Sequence, residues 1–401
     1  MRLRFGGLLG LLLLLSSCAT VSQLWEDDTV ADEAQQEAVT TAAQTAPVQL
    51  SKGALSVDWR VDVDQRRPAS PAGFSIPVVA QRAGDTVIVI GSQDKRVRIY
   101  SMEGSELARI ALHGACEAGG LQLENGLVIF GDVEGYLYAL DVNLQKIVWQ
   151  IQLSSFMQGH PVATEGGFLV QTTDNRLYHF SNDGKKRWSY TGTLGGLTMR
   201  AGASPVVAGE RVYAVFNSGD AVALRLDSGD MIWKRQLVLD NNAVVLSEIR
   251  VPIADPVMLA APNTFQEDFL LIVPIYQGQL LFLSPQDGSA IHSRTISLKS
   301  SPIRMDNAFY AADAHGAVYA LDVATGQSLW KQKISEGELV GPVAFANRLW
   351  VADEQGHVFR LNQYGEVEAD ITLPGRIDRV PVVVNDGVLV RTSLGVLYHI
   401  H

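Results

Sequence analysis

The chain has 401 residues, 32 Lys+Arg against 43 Asp+Glu for a net charge of −11, 47% hydrophobic residues, 36 Gly and two Cys. At roughly 150 residues per domain the length predicts two or three domains unless a repeat merges them, and 19% charged residues is not a disordered profile. The acidic balance argues against a sequence-independent nucleic-acid binder, which needs a basic face for phosphates, and two Cys make neither a disulfide framework nor a Cys-rich metal site.

Arg2 and Arg4 precede an apolar run from Phe5 to Leu15. That is the anatomy of a secretory signal, and it is too short to span a bilayer. The run ends in Leu15-Ser16-Ser17-Cys18, which resembles the bacterial lipobox. The resemblance implies a signal peptide over 1–17 and a new N-terminal Cys18 that is diacylglycerated and N-acylated. Two or three acyl chains hold a protein on a membrane stably where one does not. Ala19 follows the Cys instead of Asp, and by resemblance to enteric lipoproteins this points to the outer membrane. Residues 18–52, rich in Ala, Thr, Gln and Glu, read as a lipid-anchored flexible tether. Trp25 has no periodic context there. Cys116, in the run Gly114-Ala-Cys-Glu-Ala-Gly-Gly120, reads as a buried small hydrophobe.

The rest of the chain repeats. A six-residue pattern, Gly-x-Leu/Val-x-x-Leu/Phe/Ile in its commonest form, begins at Lys95, Gly135, Asn175, Gly219, Gly278, Gly316, Gly356 and Gly395, at intervals of 40, 40, 44, 59, 38, 40 and 39 residues. Alternating apolar positions within each copy predict half-buried strands. Fourteen residues upstream, Pro161, Pro205, Pro302, Pro342 and Pro381 each open an apolar run; Pro77 and Pro256 match with longer gaps. Pro cannot donate to a sheet ladder, so the first position of a strand suits it. Thirteen or fourteen residues downstream stand Trp149, Trp188, Trp233 and Trp330, and the same count lands on Arg109, His292 and Asp370 in other units. Asp132, Asp313 and Asp353 precede the pattern Gly by three, which suits the ends of a type I turn.

Each unit is thus one four-stranded blade. The last unit stops at His401 after its third strand, and Val57-Asp58-Trp59-Arg60-Val61 supplies the missing fourth with its Trp. The predicted fold is all-β: an eight-bladed β-propeller of four-stranded antiparallel blades over residues 53–401. Its ring is closed by the N-terminal strand joining the C-terminal blade, which removes free sheet edges.

The run Gly316 to Trp330, GAVYALDVATGQSLW, resembles the repeats of pyrroloquinoline-quinone-binding dehydrogenases. That family uses calcium ligands, a catalytic Asp and often a vicinal Cys pair on a much longer chain. Here there is no Cys-Cys, and the eight His (113, 160, 179, 292, 315, 357, 399 and 401) show no metal-ligand spacing. His399 and His401 share a strand face and read as a packed or solvated strand end. No nucleophile elbow or phosphate loop is present. The expectation is a non-enzyme without cofactor or metal; the alternative is a periplasmic ligand-binding or quinoprotein-like propeller using the central channel.

Two consecutive interblade connections are long, from Trp188 to Pro205 and from Trp233 to Pro256, and mix apolar residues with charge. That composition suits a protein-binding patch. Lipobox, tether and repeats together resemble the BamB family, the propeller lipoproteins of the outer-membrane β-barrel assembly machinery, over nearly the whole chain. The resemblance implies a non-catalytic scaffold on the periplasmic face of a Gram-negative outer membrane. It would bind the POTRA domains of the barrel subunit BamA within the BAM complex and help insert unfolded outer-membrane proteins. The family's contact motif is an apolar-x-apolar-Arg run joined by two acidic residues in the next long loop. Leu197-Thr198-Met199-Arg200 matches the first part and Asp255 one acidic position, while Ile253 departs from the other. The implied roles are Leu197 and Met199 as apolar anchors, Arg200 pairing to a partner carboxylate or carbonyl, and Asp255 orienting the contact or restraining a loop.

Overall fold

Strands whose residues are buried on both faces read as continuous apolar runs, and those buried on one face alternate. Both kinds occur here. In Ala308–Ala312 all five residues are buried, whereas Lys146–Gln152 alternates between exposed and half-buried positions. The first belongs to the middle of a blade, sandwiched between two neighbours; the second is an outer edge.

A computed structural model describes residues 53–64, 75–193, 202–238, 250–260, 269–306, 308–323 and 325–401. Within them lie eight four-stranded antiparallel sheets. Blade 1 comprises Val78–Arg82, Asp85–Ser92, Arg96–Ser101 and Glu106–Ala111. Blades 2 to 7 span 121–152, 157–191, 206–236, 257–294, 303–333 and 339–372, each with its strands in sequence order. First strands of neighbouring blades run close to one another, so the first strand is the inner one. Blade 8 holds Val382–Val384, Gly387–Arg391 and Val396–Ile400, and its outer strand is Val57–Asp62, with Trp59 opposite His399 and Asp62 opposite Val396. The eight-bladed propeller and its closure by the N-terminal strand are as the repeat predicted.

Two buried arginines clamp the closure. Arg391 of blade 8 donates to Asp64 Oδ2 at 2.7 Å, both side chains being 1% exposed, and to the carbonyls of Ser75 and Gly91 at 3.2 and 2.8 Å. Asp64 Oδ1 accepts the Gln93 amide at 2.7 Å, and Arg98 Nε donates to the Val63 carbonyl at 2.8 Å. Cys116 is fully buried beside Gly91, as a small hydrophobe, and burial raises its thiol pKa far above the ordinary range. His399 is buried at the same closing strand pair, with Nδ1 2.8 Å from Asp58 Oδ2, while the exposed His401 meets Asp58 Oδ1 at 2.8 Å.

The turn aspartates act as their spacing predicts. Asp132, 2% exposed, accepts the Glu134 and Tyr136 amides on Oδ1 and the Tyr138 hydroxyl on Oδ2, at 3.0, 2.9 and 2.6 Å. Asp313 and Asp353 accept the equivalent amides.

Each outer-strand Trp packs on a glycine of the next blade's third hairpin. A Cβ on Gly104, Gly184, Gly229, Gly288 or Gly365 would lie 2.7–3.0 Å from the ring of Trp59, Trp149, Trp188, Trp233 or Trp330 respectively. Four of these indoles donate to a carbonyl in the same hairpin: Met102, Leu226, Pro285 and Gln363, at 2.8, 2.8, 3.0 and 3.1 Å. Between blades 5 and 6 the ring is Phe282, on Gly326, and Arg294 binds the hairpin carbonyls of Gly326 and Thr325. In blades 1 and 7 the position differs from the count along the chain. Trp149 lies opposite Ala139; the equivalent partners Ile99 and Arg360 face Ala108 and Ala369, not Arg109 and Asp370. The third hairpins of these blades are one residue shorter, so counting from the pattern overshoots by one.

Gly84 and Gly365 separate two roles of glycine. Both have positive φ, 94° and 85°, but a Cβ at Gly84 meets nothing within 4 Å. Gly84→Ala should lose about 1–2 kcal/mol of stability through backbone strain alone. Gly365→Ala also displaces the Trp330 indole and should lose about 1–3 kcal/mol more. Urea denaturation of the two variants checks this; equal losses would mean the hairpin glycines serve the turn only.

Candidate partner-binding face

Because successive strands of a blade are antiparallel, interblade connections and second hairpins emerge on one face, and first and third hairpins on the other. The two long connections therefore share a face. Among the described residues they meet at the inner rim, where Asp255 Oδ1, leading into blade 5, accepts the Ser204 amide, leading into blade 4, at 2.5 Å, and further out, where Lys234 Nζ donates to Thr193 Oγ1 at 2.5 Å.

The Asp255–Ser204 contact belongs to a larger network around the inner rim. Ser204, 1% exposed, accepts the His160 amide on Oγ at 2.9 Å, and the same Oγ lies 3.0 Å from His160 Nδ1. That nitrogen is 3.7 Å from Asp255 Oδ2. The Ser301 hydroxyl donates to the Asp255 carbonyl at 2.8 Å. Ser300 donates to the Gly341 carbonyl at 2.6 Å and accepts its amide at 2.9 Å. At the other end the Gly119 amide donates to the Gly159 carbonyl at 2.9 Å. Gly159 must be glycine: its φ is 58°, and a Cβ would sit 2.3 Å from Ser204 Oγ.

His160, Ser204, Asp255, Ser301 and Gly341 all immediately precede a proline, which stands just before the inner strand in blades 4 to 6 and inside it in blades 3 and 7. A residue before proline is biased toward an extended backbone; Gly341 departs from the other four with a φ of 111°. Sequence reasoning found Asp255 and missed its neighbours, because the residue types differ. The readable signal was their position, polar residues before the inner-strand proline in four successive units.

Charge on this face converges toward the axis. Burial lowers the pKa of Arg379, leading into blade 8, and the carboxylates of Asp378, Glu117 and Asp255 oppose that shift. Glu117 leads into blade 2 and Asp255 into blade 5. Groups on blades 2, 5 and 8 share one field only near the middle of the ring. Asp255 thus lies where a loop contact and the axial charges meet. Ile253, half-buried nearby, brings no charge. Leu197, Met199 and Arg200 lie outside the described residues, as does Cys18. Among the described residues no group of three or more His, Cys, Asp or Glu is arranged to hold a metal ion.

A closed ring of eight blades, with irregular interblade connections linked on one face, is the architecture of a β-propeller built from quinoprotein-like repeats. The sequence profile of the outer membrane protein assembly factor BamB family matches residues 93–332 and 314–401, and the chain belongs to that family. It is 24% identical to outer membrane protein assembly factor BamB of Burkholderia pseudomallei over 320 residues, covering 79% of this chain and 81% of the relative. It is 26% identical to that of Nitrosomonas eutropha over 376 residues, 89% and 84% of the two chains. Among solved structures, BamB from Moraxella catarrhalis superposes with a TM-score of 0.71 at 19% identity, over 86% of this chain and 99% of that one. A europium-containing methanol dehydrogenase superposes at 0.67 with 13% identity, covering 87% and 90%. Likeness at that level establishes the shared propeller and nothing about chemistry.

Asp255→Ala should free the Ser204 amide and raise its hydrogen-exchange rate at least tenfold, at a stability cost of about 1–3 kcal/mol. Asp255→Asn keeps an acceptor and should raise it far less. Amide exchange at Ser204 distinguishes the two, and equal acceleration would mean that charge, not the hydrogen bond, holds the loop.

Proposed function

We propose that this chain is a non-catalytic scaffold lipoprotein of the outer-membrane β-barrel assembly machinery. It is exported by residues 1–17, acylated on Cys18 and tethered through residues 18–52 to the periplasmic face of the outer membrane. Its partner is the POTRA region of BamA, and its role is to help fold and insert outer-membrane proteins. Family membership supports the assembly role. The observation that carries the site is the Asp255–Ser204 hydrogen bond. It fastens the chain four residues after Arg200 to the neighbouring long connection, where the family's contact motif has an acidic residue. In this reading Leu197 and Met199 are apolar anchors, Arg200 pairs with a partner carboxylate or carbonyl, and Asp255 restrains the loop that presents them. An interface of this kind draws most of its affinity from a few anchors, and the missing charge at Ile253 leaves Asp255 as its acidic contributor.

Detergent-solubilised membranes bearing wild type or Arg200→Ala provide the test, with circular dichroism checking that both fold. Wild type should retain a barrel protein with POTRA domains, and the variant should bind it more weakly by roughly 2 kcal/mol or more. Retention by both would remove Arg200 from the interface, and recovery by neither would overturn the partner reading. Cys18→Ser should move the protein from the membrane pellet to the soluble fraction; a variant that stays in the pellet would refute the lipid anchor.

A further inference from the structure

Directly opposite residues of neighbouring strands point to the same side of a sheet. The third-strand residue opposite the outer-strand Trp position therefore lies in the contact between blades. In five blades it is apolar: Ile99, Ala139, Ala223, Phe282 and Ala320. Two blades place a histidine there, each with a polar partner: His179 Nε2 lies 2.9 Å from Thr164 Oγ1, and His399 Nδ1 lies 2.8 Å from Asp58 Oδ2. Blade 7 places a guanidinium there, Arg360, between Trp350 and Ala369. A charge taken out of water is costly unless it is paired and hydrogen-bonded. Arg360 makes no hydrogen bond among the described residues, and its Nε is buried. Its contact with Glu368 Oε2 is 3.9 Å long, and that same oxygen already accepts from Arg348 Nε at 2.6 Å.

The guanidinium stands over the Trp350 ring, 5.7 Å from its centroid. Both line a cavity of about 380 Å³, together with Phe345, Arg348 and Glu368 of blade 7 and with Asp386 and His401 of blade 8. Trp350 is 2% exposed, and its Nε1 is likewise buried without a hydrogen-bond partner. The carboxylates of the lining are engaged: Glu368 holds Arg348, and Asp386 Oδ1 lies 3.2 Å from His399 Nε2. His401 Nδ1 is 2.8 Å from Asp58 Oδ1. The groups left over are N–H donors. We propose that this cavity binds an organic carboxylate, held by the Arg360 fork with its apolar part against Phe345. A guanidinium presents parallel N–H groups that match both oxygens of a carboxylate, and the ring beneath Arg360 steadies its plane. Glu368 competes weakly for the same fork. The cavity lies on the face of first and third hairpins, opposite the Asp255 rim, so it is independent of the function proposed above.

The probe is N-acetyl-leucine, with N-acetyl-leucinamide as its neutral isostere. Each is titrated into the detergent-solubilised, isotope-labelled full chain and followed by the indole N–H resonance of Trp350, assigned with Trp350→Phe. Wild type should bind the acid saturably at millimolar concentration and at least tenfold more tightly than the amide. Arg360→Gln should abolish that preference, and Arg360→Lys should restore little of it, because an ammonium lacks the fork. Glu368→Gln removes the competing carboxylate and should tighten binding of the acid at least threefold, a gain that misfolding cannot produce. A free acid and a polypeptide C-terminus carry the same group: acetyl-Gly-Gly-Leu binding as tightly as N-acetyl-leucine assigns the site to a chain terminus, and much weaker binding assigns it to a free acid. Arg200→Ala should bind the acid as wild type does, which separates this cavity from the rim. No saturable shift with the acid, equal binding of acid and amide, or unchanged acid binding by both Arg360→Gln and Glu368→Gln would overturn the proposal.

Discussion

Ring closure rests on a buried ion pair that joins three distant parts of the chain. Arg391 and Asp64 are 327 residues apart, and the same guanidinium reaches carbonyls of blade 1. Taking both charges out of water is expensive, and removing one partner from such a pair typically costs about 3–5 kcal/mol. What the pair supplies is registration. Asp64 follows the strand that completes blade 8 and also binds the Gln93 amide of blade 1, so the strand cannot dock without bringing blades 8 and 1 together. The neighbouring Arg98–Val63 bond adds a second such constraint. An open stack would leave the apolar faces of its two end blades in water; closure through one N-terminal strand buries both against each other.

Once closed, the ring is held by the same contact at most junctions, and this made the architecture legible. The period, the strand-opening prolines and the Trp positions are direct readouts of blade packing, so blade number and the closing strand followed from them. The exceptions were less legible. Counting from the pattern placed Arg109 and Asp370 where the ladder places Ala108 and Ala369, because shorter hairpins shift the outer strand by one residue. A hairpin one residue shorter leaves no mark in residue type. Yet the shift puts an alanine methyl where the count along the chain put a charge.

The rim shows a different limit. Asp255 was readable through resemblance, but His160, Ser204 and Ser301 carry no common residue type. Their relation is positional: each is biased toward an extended backbone by the proline that follows and passes a hydrogen bond to an adjoining blade. Sequence pattern detects shared residues better than shared places. A polar network in a partly dry environment gains from being fully connected, which explains why polar residues persist at positions where an apolar one would pack as well.

The two faces of the ring therefore differ in kind. On the face of interblade connections, the described ends of the two long connections are joined to each other and to the inner rim by polar contacts. On the opposite face the third hairpins carry the ring–glycine contacts, with Ala108 and Ala369 at the Trp positions of blades 1 and 7; glycine holds a left-handed φ without strain, so a ring can close directly on the hairpin backbone with no Cβ between them.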